Sequence, residues 1–277
     1  MMRTAVIYLS RKGNQTYLSR AFLTSLISHP AGEEYELIFL LKGHEADETD
    51  VNLTALRERL PCPVREMRCS DETFATNVIL DAAAAIEHER VIFLTSHARI
   101  LAINWLRHYH EAFDSTSACG AVGATSGYEG IPGAPFPNVN LRLNACFLPR
   151  KRLLELDPGP LKTKRDGNQF EAGPNSFTRQ LMARGLAPIG VDRRGKSWSV
   201  ESWPQSLTFR SGQQEGLLIA DNRTYHYDVA SNRKRLKLAR LNWGEAAMVS
   251  TISPIERLRA WWDWRHPSGR FSKGYNA

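Results

Sequence analysis

The first hundred residues alternate between short apolar runs and segments whose apolar residues have helical spacing. The apolar runs are TAVIYL at 4–9, YELIFLL at 35–41, a weaker run at 63–68 and RVIFL at 90–94. The helical spacing is carried by Leu18, Phe22 and Leu26, by Leu53, Leu56 and Leu60, by the Ala-rich stretch 76–87, and by Trp105, Tyr109 and Phe113. Parallel strands buried on both faces form continuous apolar runs and need helical crossovers. The pattern therefore predicts an α/β fold, a mostly parallel twisted sheet with helices on both faces.

The pattern loosens after Ala118. CGAVGATSGYEG predicts a strand that runs into a Gly-rich loop, and the prolines of IPGAPFPNVN exclude a helix. A helix is predicted from Phe177 to Arg184, ended by Gly185, and a strand over LAPIGV. Residues 231–240 predict a strongly basic helix, and residues 255–265 combine Arg with three Trp. With 277 residues, 42% of them hydrophobic, the chain can form one large domain or a main domain with a smaller appendage.

The charge balance restricts the classes of molecule that the protein is expected to bind. Thirty-six Lys and Arg against 29 Asp and Glu favour an anionic partner, which can be a nucleotide diphosphate, a phospholipid surface or nucleic acid. The four cysteines, at 62, 69, 119 and 146, contain no CxxC pair, which argues against a zinc site or disulfide framework. The apolar run near the N-terminus is too short for a signal peptide or membrane span. We expect a cytoplasmic protein, either free or peripheral to the inner face of the membrane.

Ligands of open α/β sheets bind where the strands end at their carboxyl edge. The loops that follow the predicted strands are 10–14, 42–47, 69–74 and 95–99, so we expect the site there.

A phosphate-binding motif competes with this expectation. Residues 190–197, GVDRRGKS, match GxxxxGK[ST], and LLIAD at 217–221 resembles the metal-binding strand end of nucleotidases. The motif requires a helix after Ser197, but the following segment has poor helix formers and Pro204. We therefore expect a basic turn between strands, with an NTPase as a minor alternative.

The segment FATNVILDAAAAIEHERVIFLTSHARILAINWL resembles the inverting family-2 glycosyltransferases of the GT-A fold. Asn77, the strand at 91–94 and the helix that contains Trp105 and Leu106 occupy the matching places. GAVGATSGYEG, RLNACFLPRKRLLEL and FEAGPNSFTRQLMARG resemble the segments that follow in that family. The resemblance implies a GT-A-like domain over 1–200, which binds a nucleotide-diphosphate sugar and an acceptor, and a basic, Trp-rich, α-rich extension over 201–277.

The chain departs from the family in two places. Where the family has Asp-x-Asp, this chain has Thr95-Ser96-His97, and Mg²⁺ or Mn²⁺ prefers carboxylate oxygens. The triplet therefore predicts no acidic metal ligand; His97 is the one candidate ligand, and dependence on a divalent metal is an alternative. Where the family has Glu-Asp, Glu171 is the acidic residue nearby.

The resemblance assigns roles to individual residues, each with a structural alternative. Glu171 is the predicted catalytic base, or else a surface carboxylate, or a charge at the N-terminus of a helix at 175–184. Asn144 contacts sugar or acceptor, or satisfies buried backbone groups. Asp71 accepts from a nucleobase or ribose, or else Asp71 or Ser70 caps the third helix. The predicted donor-binding residues are Ser10, Arg11, Lys12, Asp71, Asn77, Thr95, His97 and Arg99.

For five of these donor-binding residues the part of the donor that they would contact can be stated. His97 contacts the diphosphate directly or as an imidazolium, with Arg99 as the alternative cation, or it is an ordinary loop histidine. Ser10, Arg11 and Lys12 contact the nucleotide or only face solvent.

The basic C-terminal part has three interpretations. Arg233, Lys234, Arg235 and Lys237, with Trp261, Trp262 and Trp264, can contact an anionic membrane, stack on single-stranded nucleic acid, or form a solvated helix face. We expect no nucleic-acid partner. The resemblance thus predicts sugar transfer from a nucleotide-diphosphate donor to a glycan or lipid-linked acceptor, as in surface polysaccharide synthesis. The alternative is an inactive scaffold that keeps the donor pocket.

Overall fold

The computed structural model describes residues 3–266. The end of the predicted 201–277 extension, residues 267–277, lies outside the described residues. The strands are β1 Thr4–Arg11, β2 Tyr35–Lys42, β3 Val64–Cys69, β4 Arg90–Leu94, β5 Arg99–Ile100, β6 Cys119–Gly123, β7 Ser126–Gly127, β8 Asn140–Leu141, β9 Cys146–Pro149, β10 Ala187–Val191, β11 Ser197–Trp198 and β12 Ile219–Ala220. The helices are α1 Tyr17–Ser28, α2 Val51–Leu56, α3 Ala75–Ala84, α4 Trp105–Ser115, α5 Arg150–Leu154, α6 Lys164–Ala172, α7 Phe177–Ala183, α8 Asn222–Asp228, α9 Asn232–Trp243 and α10 Pro254–Arg265. Single 3-10 segments lie at Arg57–Arg59, Val200–Ser206 and Gly244–Ala246.

Eight strands form one central sheet in the order β11-β10-β6-β9-β4-β1-β2-β3. The contacts β1–β2, β2–β3, β1–β4 and β6–β10 are parallel, whereas β9 is antiparallel to both β4 and β6. At the edge, β11 is antiparallel to β10. The sheet confirms the predicted α/β class with mostly parallel strands.

Alternate side chains of β1 supply two separate cores, because successive strand residues face opposite sides of a sheet. Val6 and Tyr8 pack with residues of α1 and α4, and the Tyr8 ring stacks on Phe22 at 3.8 Å between centroids. Ala5 and Ile7 pack on the other face with residues of α3, α5 and α7. Helices therefore cover both faces, as predicted.

Residues after 200 join the same cores. Trp203 and Trp243 are buried in the core that contains Ile7, and Leu218 and Ile219 in the core that contains Tyr8. The strand β12 pairs with β5, outside the central sheet. The three helices α8, α9 and α10 give this part its α-rich character.

Two local predictions have clear outcomes. The Gly190–Ser197 segment is a turn between antiparallel strands, with Gly195 at φ +80° and a 3-10 segment rather than an α-helix after Trp198. This confirms the basic turn and argues against the phosphate-binding motif. The predicted helix through Leu60 is shorter than expected, since α2 ends at Leu56 and tightens into the 3-10 segment Arg57–Arg59. Within residues 3–266, no helix is both long enough and apolar enough to cross a membrane.

Candidate functional site

A cavity of about 290 Å³ opens at the carboxyl end of β1, and we call it the strand-end cleft. Its lining includes Ser10, Arg11 and Lys12, together with Ser96 after β4 and Asp50 before α2. The predicted loops after β1, β2 and β4 therefore meet at one place, as expected for parallel strands that end at the same edge.

Asp50 is the buried carboxylate of this cleft, and the sequence did not single it out. Its Oδ1 caps α2 by accepting from the backbone of Asn52 and Leu53, and it also accepts from Ser19 Oγ at 3.0 Å. Its Oδ2 accepts from Ser10 Oγ at 2.7 Å. A carboxylate oxygen has two lone pairs, so Oδ2 keeps capacity for a further donor.

His44 is a second cleft residue that the sequence did not single out. Its Nε2 is buried without a hydrogen-bond partner among the described residues. Burial lowers the pKa of His44, although Asp50 and Glu48 oppose that shift. The ring is therefore neutral at neutral pH, and Nε2 is available to a polar ligand group.

The cations of the β1 loop are held by carboxylates of the protein. Arg11 forms two parallel hydrogen bonds to Asp71, at 2.6 and 2.7 Å, and Lys42 Nζ lies 2.8 Å from the same carboxylate. These donors hold the pKa of Asp71 far below its ordinary value. Lys12 is paired with Glu48 at 2.6 Å. The structure thus brings the predicted Arg11 and Asp71 together, but as partners of each other.

The alternative role of Asp71 as a helix cap is wrong. The residue at the N-cap position of α3 is Phe74, which makes no side-chain cap hydrogen bond. Asn77, one turn further along α3, lines neither this cleft nor the pocket described below, and its Oδ1 is buried without a partner among the described residues.

The triplet after β4 is fixed by hydrogen bonds to its neighbours. Ser96 Oγ donates to the Leu9 carbonyl at 2.7 Å, and the Thr95 amide donates to Asn144 Oδ1 at 2.8 Å. His97 is half-buried, and burial lowers its pKa although Asp221 opposes the shift. Burial therefore favours the neutral ring, in which one ring nitrogen can still donate a hydrogen bond to a diphosphate.

Arg99 contacts the C-terminal helix and not the cleft, which corrects its predicted donor contact. As a residue of β5 it is 1% exposed, and its guanidinium donates to the carbonyls of Asp263 and Trp264 and lies over the Trp264 ring. Burial lowers the pKa of Arg99 to about 10, so it stays charged while it anchors α10.

A bend between β8 and β9 carries the second part of the site. Ala145 has a φ of +58°, a left-handed conformation that costs a non-glycine residue about 1–3 kcal/mol. The Ala145 amide donates to the Phe93 carbonyl, and the Ala145 carbonyl accepts from the Ala124 amide. The same carbonyl also accepts from the Tyr109 hydroxyl at 2.8 Å. The residues just before this bend include Arg142 and Asn144.

Arg142, 7% exposed, lies between two carboxylates. Its Nη1 is 2.8 Å from Asp221 Oδ2, and its Nε is 3.7 Å from Glu171 Oε1. Burial alone would lower the pKa of Arg142, but the two carboxylates outweigh it and raise that pKa. Asn144 Nδ2 lies 3.5 Å from the same Asp221 oxygen, so contacts run from Thr95 through Asn144, Asp221 and Arg142 to Glu171.

Glu171 belongs to α6, a helix the sequence did not predict. A capping box of Thr163 and Asp166 starts this helix, and Phe170 anchors it in the core. The Glu171 carboxylate is 24% exposed, and its Oε2 accepts weakly from the Leu143 amide at 3.4 Å. It is therefore close to a buried cation yet reachable from solvent.

Arg142 and Glu171 line a cavity of about 350 Å³, which we call the Arg142 pocket. Its wall includes the Phe209 ring, 5.1 Å from the Arg142 guanidinium carbon, and Asn242, whose buried Nδ2 has no partner among the described residues. An aromatic face beside amides, a cation and a carboxylate suits a polyhydroxylated ligand.

The residues near the triplet do not fit a divalent cation. Asp221 is the carboxylate that acts on His97, but its Oδ1 caps α8 and its Oδ2 faces Arg142. In residues 3–266, no group of three or more His, Cys, Asp and Glu side chains is arranged to hold a metal ion. We therefore derive no step through a metal.

No protein-family model and no curated protein matches the chain. Among solved structures it is similar to S. aureus TarS, with a TM-score of 0.43 and 19% identity over 60% of this chain and 32% of TarS. The 1-349 form of TarS in complex with UDP gives a TM-score of 0.40 and 17% identity over 60% of this chain and 53% of that one. The mannosyltransferase PcManGT from Pyrobaculum calidifontis, in complex with GDP-Man and Mn²⁺, gives a TM-score of 0.45. Its identity to this chain is 14%, over 68% of this chain and 54% of PcManGT. This chain thus spans about a third to about half of their lengths.

Proposed function

We propose that the chain is an inverting family-2-like glycosyltransferase of the GT-A fold. It transfers a sugar from a nucleotide-diphosphate donor to a hydroxyl of a glycan or lipid-linked acceptor, as surface polysaccharide assembly requires. The observation that carries this proposal is the run of contacts between the two cavities. Ser96 lines the strand-end cleft, and its neighbour Thr95 is linked through Asn144 and Asp221 to Arg142 and Glu171 in the Arg142 pocket.

The nucleoside occupies the strand-end cleft in this proposal. Asp50 Oδ2 accepts from a ribose or base donor, beside the Ser10 hydroxyl that already bonds to it. His44 Nε2 offers the second polar contact. Lys12 and Arg11 lie half-exposed at the mouth of the cleft, and because Lys42 shares Asp71 with Arg11, this group keeps one net positive charge for the diphosphate.

The reaction takes place at the Arg142 pocket. The acceptor oxygen attacks the anomeric carbon of the donor sugar from the face opposite the diphosphate, the carbon–oxygen bond to the diphosphate breaks, and the diphosphate leaves with the electron pair. The acceptor proton passes to Glu171, and attack from the opposite face inverts the anomeric configuration. Arg142 contacts the departing diphosphate in this proposal, and its charge is shared with Glu171 until that carboxylate takes up the acceptor proton.

The test is Glu171→Gln, with Glu155→Gln as the matched control. Glu155 pairs with Arg184 at 3.9 Å on the surface, outside both cavities. Donor hydrolysis, read as nucleoside diphosphate release, needs no known acceptor. Removal of a general base lowers turnover by about 10²–10⁴.

We expect that loss for Glu171→Gln, with unchanged donor affinity by calorimetry, and none for Glu155→Gln. Full turnover of Glu171→Gln would remove the proposed base. Failure of the native protein to bind any nucleotide sugar would overturn both the transferase and the scaffold that keeps a donor pocket, whereas donor binding without turnover would favour the scaffold.

A further inference from the structure

The helix α10 exposes an apolar stripe that the fold leaves uncovered among the described residues. Ile255, Leu258 and Trp262 are 64%, 63% and 55% exposed. Spacings of three and four residues place these side chains on one face of a helix. Monomeric proteins rarely leave such a stripe of large apolar side chains in water without a partner.

The rotation of α10 is fixed by its opposite side. Trp264 is 4% exposed, and its ring stacks on Tyr225 at 4.7 Å. The buried Arg99 guanidinium lies 3.9 Å from the centre of the Trp264 ring. Because these contacts hold the inner side, the stripe of Ile255, Leu258 and Trp262 stays outward.

The helix α9 combines exposed apolar and basic side chains and contains no acidic residue. Leu236 and Leu241 are 38% and 47% exposed, and they line a shallow groove with Arg233, Lys237 and Arg240. Its other side is buried, through residues such as Ala239 and Trp243. Exposed apolar and basic side chains of this kind are the ones that contact anionic lipid at a membrane interface.

The two helices are joined at their first turns. The Asn232 side chain at the start of α9 both donates to and accepts from the backbone of Ile252, which precedes α10, at 3.2 and 2.9 Å. From 232 to 265 the chain has eight Lys and Arg against three Asp and Glu. We call the exposed residues Leu236, Leu241, Ile255, Leu258 and Trp262, with Arg233, Lys237 and Arg240, the α9–α10 face.

We propose that the α9–α10 face binds an anionic lipid bilayer. Its apolar side chains enter the boundary between headgroups and acyl chains, and its basic side chains pair with lipid phosphates. A protein partner with a matching apolar groove would not require the excess of positive charge, and nucleic acid would not require exposed Ile and Leu. The inference stands apart from the proposed transferase activity, but it specifies where a lipid-linked acceptor would meet this chain.

The experiment is cosedimentation of the full chain with vesicles. One set is pure phosphatidylcholine and the other contains about 30% phosphatidylglycerol. We expect binding to the anionic set alone, with affinity that falls steeply as NaCl rises from about 0.1 M to about 1 M.

The stripe variant is Ile255→Ser, Leu258→Ser and Trp262→Ser combined. We expect it to lose about tenfold or more in vesicle affinity. A matched control replaces Ile103, Leu154 and Met182 by Ser, since these are also exposed large apolar residues, and it should bind vesicles normally. Because all six side chains are exposed, both variants should keep the native melting temperature and the native nucleotide affinity.

Several results would overturn the proposal. The native chain should not bind neutral and anionic vesicles equally, and it should not fail to bind both. The stripe variant should not bind anionic vesicles with native affinity. Binding of the native chain to a single-stranded oligonucleotide but not to vesicles would likewise overturn the proposal. A dimer of the native chain that the stripe variant abolishes would assign the face to a second copy instead. None of these outcomes depends on whether a nucleotide sugar binds, so they are separate from the test of the proposed function.

Discussion

Replacement of Arg142 by Met removes the buried cation between Asp221 and Glu171. The contact of 2.8 Å with Asp221 corresponds to a gross attraction of about 6 kcal/mol at an effective dielectric constant near 20, most of it offset by desolvation. Loss of one partner of such a buried pair leaves an uncompensated charge and typically costs about 3–5 kcal/mol. We therefore expect the free energy of unfolding of Arg142→Met to fall by about that amount in urea denaturation.

The effect on turnover is measured separately from this structural cost, per folded molecule. If Arg142 stabilises the departing diphosphate, its loss lowers donor hydrolysis per folded molecule by about 10²–10³. The control is Arg235→Met, because Arg235 is 1% exposed, donates to the Gly212 carbonyl at 2.7 Å and lines neither cavity. It should destabilise the fold and keep its turnover per folded molecule. Turnover of Arg142→Met within about threefold of this control would refute the role of Arg142.

Two further predictions concern the cleft and the core. Asp50→Ala should weaken nucleotide binding about tenfold in calorimetry, because it loses one charge-assisted hydrogen bond. It should also lower the free energy of unfolding by about 0.5–2 kcal/mol, because α2 loses its cap. Native nucleotide affinity in this variant would contradict the placement of the nucleoside. Burial, reinforced by Arg90, lowers the pKa of His110 to about 4, below the ordinary 6.5, so protonation favours the unfolded chain. Stability should therefore fall by about 2 kcal/mol from pH 7 to pH 5 and should fall less in His110→Gln; identical pH profiles in urea denaturation would disprove this.

The strands could be predicted from the sequence because they are buried on both faces. TAVIYL and RVIFL are long apolar runs, and each became a strand of the central sheet. The position of β9 between β4 and β6 could not be predicted, because no local pattern specifies which strand enters the sheet antiparallel. The helix α6 was missed because Phe170 is its single buried residue, which leaves little apolar periodicity.

In the site, too, residues with a local sequence signal could be predicted, whereas contacts between distant parts of the chain could not. Ser10 and Lys12 were predicted because they directly follow an apolar strand, a local signal. Asp50 had a local signal that we did not use, since an Asp before an apolar helix start is a typical N-cap. Asp221 and Arg142 form an ion pair although they are 79 residues apart in sequence, and no local spacing predicts such a contact. LLIAD was noticed for its resemblance to nucleotidases, whereas its Asp221 pairs with an arginine.

Arg99 shows how a contact with a distant helix changes the environment of a residue that lies next to the predicted site in sequence. It follows Thr95-Ser96-His97 closely in sequence, which placed it in the site. In the structure it belongs to the two-residue strand β5, and its side chain turns to the carbonyls at the end of α10. Its environment depends on α10, more than 150 residues later, so local sequence alone does not reveal it.

The most direct test of the proposed donor site is calorimetric titration of the native chain with UDP, GDP, CDP, TDP and ATP, each in EDTA and in Mn²⁺. We predict preference for one nucleoside diphosphate, with the same affinity in EDTA, since the residues around Thr95-Ser96-His97 do not fit a divalent cation and Arg142 is the proposed cation. Binding that requires Mn²⁺ would contradict the role of Arg142. Failure of every nucleotide to bind would contradict the donor cleft itself.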